Sequence, residues 1–427
     1  MNLHLVLFPK VLLALLAMAA LMAAQTSKTP DWRAIHDSAI VIDTHADTPS
    51  RFVDEDFDMA TVTPISQGHM DFEKVRAGNL GAEFFSIYVA PRFKSLGYSH
   101  RALDMIDSVD EQARLHPDQM VMAYSADDIV HARSGPHKRL AALMGIEGGH
   151  AIENDLRLLR DFYRLGVRYM TLTWANTNDW ADSSGDIDDP TVQHHNGLTD
   201  FGKQVVLEMN RLGMMVDISH VADKTFWDAI ATSKAPVIAS HSAARALCNH
   251  PRNLTDDMLR AVGKNGGVVM VNFYSAFIDE DYRKAYAAQA AERNAAVKAY
   301  EDHMQAEGKA ADNATENQIE KDWASKIPRP PLKSLIDNID HIAKLAGIDH
   351  VGLGSDFDGI DSLPRGIDSV ADLPKITQQL VARGYNREQI HKILGGNLLR
   401  VFREVQRVSK DMRAADSAKS HPATPGE

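Results

Sequence analysis

His45 and Asp47 stand two residues apart in the run Val41-Ile42-Asp43-Thr44-His45-Ala46-Asp47-Thr48-Pro49. At the end of a short buried strand, residues two apart face the same way, so an imidazole and a carboxylate point together out of the strand terminus. Such a pair suits one divalent cation of the zinc class. Four later residues of the same kind close apolar runs of their own: Glu147, His220, His241 and Asp356. Taken singly, each has an ordinary explanation as a helix cap, a turn former or a satisfied core histidine. Taken together they form a metal-site inventory, with more ligands than one zinc needs and a set that two ions sharing a bridging carboxylate would use well. His150, His194 and His195 fall in loops and read as polar surface or supporting residues.

Residues so far apart in sequence meet only if the elements carrying them end on one rim. Apolar, β-rich runs at 39–42, 81–90, 140–146, 167–173, 214–218, 236–240, 267–273 and 350–354 alternate with stretches of helical spacing. This alternation of short strands with crossover helices predicts a (β/α)8 TIM-like barrel over residues 31–408, whose strand ends converge on one face. A doubly wound open sheet is the rival fold, but no glycine-rich phosphate fingerprint follows the first strand. Residues 279–325 shift to Ala, Glu, Lys and Asn without β-formers and read as an inserted pair of charged helices after the seventh strand. That insertion is expected to be a lid, a contact in a homodimer or a solvated helical hairpin. The polar segment 409–427 is expected to be a disordered tail.

The 427 residues carry 46 basic and 58 acidic side chains, and the resulting charge of −12 argues against a nucleic-acid or anionic-lipid partner. Lys10, the apolar run 11–22 and the small residues Ala23-Ala24 read as a signal peptide over 1–24, too short to span a bilayer comfortably. Export to a periplasm or to the medium follows, with attachment to the membrane if the segment stays uncleaved. The polar carboxyl terminus lacks the apolar tail of a glycolipid-anchor signal. Cys248 is the single cysteine, so an intramolecular disulfide is impossible.

With these residues assembled, the chain resembles the membrane dipeptidase (renal dipeptidase) family of zinc peptidases, a branch of the amidohydrolase-type barrels. The stretches that carry the resemblance are Ile42-Asp43-Thr44-His45-Ala46-Asp47, Gly145-Ile146-Glu147-Gly148-Gly149-His150, Gly213-Met214-Met215-Val216-Asp217-Ile218-Ser219-His220 and Ser240-His241-Ser242-Ala243. Asn272-Phe273-Tyr274, Gly352-Leu353-Gly354-Ser355-Asp356-Phe357-Asp358-Gly359 and Leu394-Gly395-Gly396-Asn397 complete them, in family order over residues 31–408. The resemblance implies two zinc ions, one on His45, Asp47 and Glu147, the other on Glu147, His220 and His241. It implies that Arg252 binds the substrate carboxylate and that Asp356 handles the catalytic proton. The implied reaction is hydrolysis of dipeptides with a free C-terminal carboxylate by a dizinc-bound hydroxide.

One position departs from the pattern. Where well-known mammalian members carry a histidine that reaches the substrate carbonyl, this chain has Trp174, whose indole donates one hydrogen bond and cannot carry a proton. Stabilisation of the developing oxyanion would then fall to the metal, to Asn176 or to Asn178. Two alternatives stay open: another metal-dependent amide or β-lactam hydrolase on the same barrel, and an exported binding protein that keeps the pocket without turnover.

Overall fold

The computed structural model describes residues 31–309, 311 and 313–420. The expected signal segment and the last part of the expected tail lie outside them. Among the described residues no helix is long and apolar enough to cross a membrane.

Nine strands of the described residues form one sheet: β1 (Val41–Ala46), β2 (Leu80–Tyr88), β3 (Met120–Met122), β4 (Leu140–Glu147), β5 (Val167–Thr171), β6 (Met215–Asp217), β7 (Ile238–Ser242), β8 (Val268–Val271) and β9 (Val351–Leu353). All ladders are parallel, and the order is β1-β2-β4-β5-β6-β7-β8-β9, with β3 paired to β4 alone. The eight strands of the main path are the eight anticipated from the apolar runs, wound with their helices into the (β/α)8 barrel. β3 was not anticipated. It is three residues long and borrows the start of β4, Leu140 to Ala142, before β5 joins at Met144. No periodicity shows over so short a span.

The barrel closes at a seam without a regular ladder. Between β9 and β1 there is an isolated bridge, Ala46 with Phe357, flanked by Asp356 N–H donating to the His45 carbonyl at 2.9 Å and Asp47 N–H donating to the Phe357 carbonyl at 2.8 Å. Gly354 makes this approach possible, because a Cβ there would lie 1.9 Å from the carbonyl oxygen of Ser240 and 2.8 Å from Thr44 Oγ1. The barrel interior is filled by Ile42, Phe84, Leu143, Tyr169, Met215 and Met270, packed with Leu398 and Phe402 from the last helix. A second, larger layer of apolar side chains lies between the strands and the surrounding helices. The sequence shows where such helices begin: Thr199 and Thr255 each cap a helix by accepting a backbone N–H, at the starts of Asp200–Leu212 and Asp256–Asn265.

Two expectations need correction. The last helix, Asn397–Ser420, continues well past the point where a disordered tail was expected to begin. It persists because Ser409 is buried and donates to the carbonyl of Arg211 at 2.8 Å, and Arg407 pairs with Asp411 one turn on. The insertion is three helices rather than a pair, Glu280–Ala288, Ala290–Ala306 and Asn313–Ala324. It is tied to the rim: Glu316 pairs with Arg92 at 2.5 Å, and the hydroxyls of Tyr286 and Tyr274 both donate to Asp361 in the loop after β9.

The seam leaves no room at Gly354. Gly354→Ala is expected to destabilise the folded chain by about 1–3 kcal/mol, the cost of overpacking a filled site. Urea denaturation midpoints measure it, and an unchanged midpoint would show that β1, β7 and β9 can part without penalty.

Candidate metal centre

Each candidate ligand reaches the carboxyl-terminal rim by its own route. β1 runs further than the apolar run suggested, so His45 lies inside the strand and Asp47 begins the next turn, with a register shift between Asp43 and Ala46. Glu147 is the last residue of β4, and His241 lies within β7. His220 and Asp356 each sit three residues beyond their strands, both in left-handed backbone, at φ 64° and 67°. For residues with a Cβ that conformation is uncommon and strained, and it aims a side chain where a strand could not.

These side chains meet around Glu147. Its Oε2 lies 3.5 Å from His45 Nε2, and its Oε1 lies 2.9 Å from His220 Nε2 and 3.3 Å from His241 Nε2. Asp47 Oδ2 stands 3.6 Å from His45 Nε2. Donor atoms of His45, Glu147 and His241 lie within 4.8 Å of one another, as do those of His45, Asp47 and Asp356. The two oxygens of Glu147 thus face two ligand groups, with Asp356 beside the first.

The protonation pattern suits a cation site. Burial brings His220 down to about 4 and His241 well below its ordinary value, so both are neutral near pH 7 with lone pairs to give. Burial works against the charge on Glu147, yet His45, His220 and His241 hold it well below the usual carboxylate range. His220 Nε2 and His241 Nε2 lie only 3.0 Å apart. His45 Nε2 and Asp47 Oδ1 are buried without any hydrogen-bond partner. Burial works against a charge on His45, yet Tyr169, Glu147 and Asp47 hold it well above its ordinary value, so without metal its Nε2 keeps a proton that a bound cation would displace. Two neutral imidazoles, an ionised carboxylate and a third imidazole already in a positively charged state fit divalent zinc-class ions and resist any apolar filling.

Asp356 is oriented by Asn272, whose Nδ2 donates to its Oδ2 at 2.9 Å. Burial, reinforced by Asp47 and Glu147 and opposed by His45, pushes its carboxyl up to about 7. Gly359 lets the loop pass under these carboxylates: a Cβ there would lie 2.0 Å from Asp47 Oδ2 and 2.8 Å from Asp356 Oδ1. Arg252 is buried beside the cluster, donating to Ser242 Oγ and to the His241 carbonyl, both at 2.8 Å, with its Nε left unpartnered. Burial lowers it to about 10 against the pull of Asp217, Glu147 and Asp356, so it keeps its charge at neutral pH.

The loop after β5 divides its residues. Trp174 lies along the cluster, its ring 5.0 Å from that of Tyr88 and 6.4 Å from that of His220. Asn176 is elsewhere, in a polar cavity of about 400 Å³ lined with Tyr98, His150 and Asp179 and by none of the cluster residues. Asn178 is engaged at both ends within its own loop, donating to the Leu172 carbonyl and accepting from the N–H groups of Trp180 and Ala181. Sequence reasoning missed what this loop does for His220: Ser184 N–H and the hydroxyls of Ser183 and Ser184 converge on the His220 carbonyl oxygen and pin the left-handed residue. A serine pair in a polar loop carries no signal that would have found it. His150, taken for a surface or supporting residue, is buried and bonded to the Val89 carbonyl at 2.8 Å.

A parallel barrel with histidines and carboxylates gathered at the carboxyl ends of its strands has the architecture of a metal-dependent hydrolase. The family model for membrane dipeptidase, peptidase family M19, matches residues 30–416. The chain belongs to the membrane dipeptidase family. It is 32% identical over 401 residues to Dipeptidase 3 of Homo sapiens, covering 91% of this chain and 70% of that one. With Dipeptidase 3 of Mus musculus it shares 32% over 344 residues, 81% of this chain and only 59% of the relative's length. Among solved structures it is similar to the probable dipeptidase PvdM from Pseudomonas aeruginosa, with TM-score 0.73, 26% identity, and 89% and 98% of the two chains covered.

The raised pKa of Asp356 has a signed consequence for the metal-free protein. A carboxyl whose folded value, about 7, lies above its unfolded one, about 4, keeps its proton longer in the native state. Its destabilising effect is therefore absent near pH 4 and grows until pH passes about 7. In chelator-treated protein, Asp356→Asn is expected to raise the denaturation midpoint at pH 8 and to leave it unchanged near pH 4. Equal midpoints at pH 8 would show that the native site carries no buried charge at this position.

Proposed function

We propose that this chain is a two-zinc dipeptidase that hydrolyses dipeptides bearing a free C-terminal carboxylate. The observation that carries the reading is the division of the Glu147 carboxylate, one oxygen towards His45 and the other towards His220 and His241. That division would suit a carboxylate shared between two ions, of which His45 and Asp47 would hold one and His220 and His241 the other. When bound, the cations supply Lewis-acid polarisation of the scissile carbonyl and a nucleophile at neutral pH.

The remaining work falls to the chain's own side chains. Arg252 offers a buried, charged fork whose Nε is uncommitted, and it takes the substrate carboxylate by paired, charge-assisted hydrogen bonds. Fixing the terminal carboxylate on an arginine bonded to the His241 carbonyl would limit the substrate to roughly two residues. Asp356, held by Asn272, accepts the proton of the attacking water and returns it to the leaving amine. Because it must start ionised, activity falls on the acid side. Trp174 and Tyr88 form an aromatic wall beside His220, which shapes the substrate side chains accepted and carries no charge. Export by the apolar run 11–22 would place this activity outside the cytoplasm.

A panel of dipeptides, tripeptides and β-lactams tests the reading on zinc-loaded protein. Dipeptides are expected to be cleaved and tripeptides to be poor substrates; equal rates on both would sink the carboxylate clamp, and lactams alone would move the chemistry to another amide. Arg252→Met should raise KM for dipeptides by about 10–100-fold, the loss of a hydrogen bond to a charged group. Asp356→Asn should lower kcat by about 100-fold or more, the usual worth of a general base. Steady-state kinetics separate the two, and a kcat effect at Arg252 with KM unchanged would contradict its role.

A further inference from the structure

The cluster imidazoles are gripped from their far nitrogens by two different hydrogen-bond relays. At His45, Nε2 faces Asp47 and Glu147 while Nδ1 lies 2.8 Å from the hydroxyl of Tyr169. That hydroxyl has one proton and donates it to the Thr44 carbonyl at 3.1 Å. Towards His45 it can only accept. Nδ1 therefore carries a hydrogen, and once a cation displaces any second proton of the ring the lone pair is left on Nε2, facing the carboxylates. Tyr169 is itself fully buried in the barrel interior, so no water competes for the bond.

At His241 the relay is longer. Nδ1 lies 2.8 Å from Ser240 Oγ, and Ser240 Oγ donates to Asp217 Oδ2 at 2.6 Å. Asp217 also accepts from Thr171 Oγ1 at 2.5 Å and from the backbone N–H groups of Ser219 at 3.0 Å and Ser240 at 2.8 Å. A buried carboxylate surrounded by four donors acts only as an acceptor, so the Ser240 proton is committed to it. Ser240 must then accept from His241 Nδ1–H, which again bares Nε2 for the cluster. Ordinary sequence cues would mark Tyr169 as a core aromatic and Asp217 as a strand-end turn former. Neither points at the cations directly.

We propose that Tyr169, for His45, and the Asp217–Ser240 pair, for His241, are positioning residues that fix the imidazole tautomers, each governing retention of one of the two cations. The inference rests on the two-zinc reading above. Outer-shell partners of metal-bound histidines fix ring orientation and raise ligand basicity in this way. The two relays share no residue, so their effects separate by ion.

Competitive zinc titration of the full chain against a chromophoric chelator reads the effect without any turnover. Wild-type protein is expected to take up two zinc ions. Tyr169→Phe, which removes one oxygen, should weaken one ion by about 10–100-fold and leave the other unchanged, and Ser240→Ala should do the same to the other ion. In a His45→Ala background, which forfeits the first ion, Tyr169→Phe should add nothing, while Ser240→Ala still weakens the ion that remains. Circular dichroism checks the fold of each variant, and either folded single variant is sufficient to decide. Wild-type affinity at both ions in a folded Tyr169→Phe or Ser240→Ala protein overturns the proposal. A wild-type chain that binds only one zinc overturns the two-zinc reading instead, and the relays then stand or fall on whether that one ion weakens.

Discussion

Too many lone pairs in too little space is the constraint around which this molecule is arranged. Two imidazole nitrogens lie 3.0 Å apart against one oxygen of a buried carboxylate, and a third imidazole faces the other oxygen. The Nδ1 protons of His45 and His241 are committed on the far sides of the rings, to Tyr169 and Ser240. In a low-dielectric interior such a cluster is unfavourable by itself and becomes favourable with positive charge in its midst. The stability of the rim and its chemistry are therefore one problem.

The barrel solves it at its seam. A regular β1–β9 ladder would point side chains alternately in and out. The chain instead joins the two strands by a single bridge and a few crossing hydrogen bonds, so that His45, Asp47 and Asp356 all issue from the place where the sheet closes. Left-handed residues at His220, Asp356 and Asp358 continue the pattern. Strain of this kind costs on the order of 1–3 kcal/mol per residue and persists where the surroundings over-determine it. Here the surroundings are explicit: the Ser183 and Ser184 bonds to the His220 carbonyl, the Asn272 bond to Asp356, and the absence of a side chain at Gly359.

Around this centre the chain has shaped its own substrate space. The indole of Trp174 sets a flat face that carries no proton against the ring of Tyr88. The last insertion helix, Asn313–Ala324, stands beside the loops after β1 and β9 and lines cavities of about 470 Å³ and 340 Å³ with them. Its attachments to Arg92 and, through the Tyr286 hydroxyl of the same insertion, to Asp361 make it part of the rim rather than a solvated hairpin. The barrel is that of the membrane dipeptidase family, and these walls lie on the rim around the cluster.

Much of this was legible beforehand for a physical reason: periodic apolar runs are local, and a ligand-type residue closing five of the eight runs is local too. The eight barrel strands, their common rim, His45, Asp47, Glu147, His220, His241 and Asp356 could all be read from neighbours in sequence. What only the tertiary structure decided depends on groups meeting across the barrel. Asp43 N-terminal to the cluster and Ser355 beyond it meet at 2.7 Å across more than three hundred residues. Tyr169 becomes a partner of His45, Asp217 a partner of His241 through Ser240, and Asn176 turns to a cavity lined by none of the cluster residues while Trp174, its near neighbour in sequence, lies along the cluster. The last helix outlasts its polar composition because Ser409 finds the Arg211 carbonyl, a contact no local pattern encodes. Sequence determined which residues could bind a cation; close packing across the seam decided how each one is turned to face it.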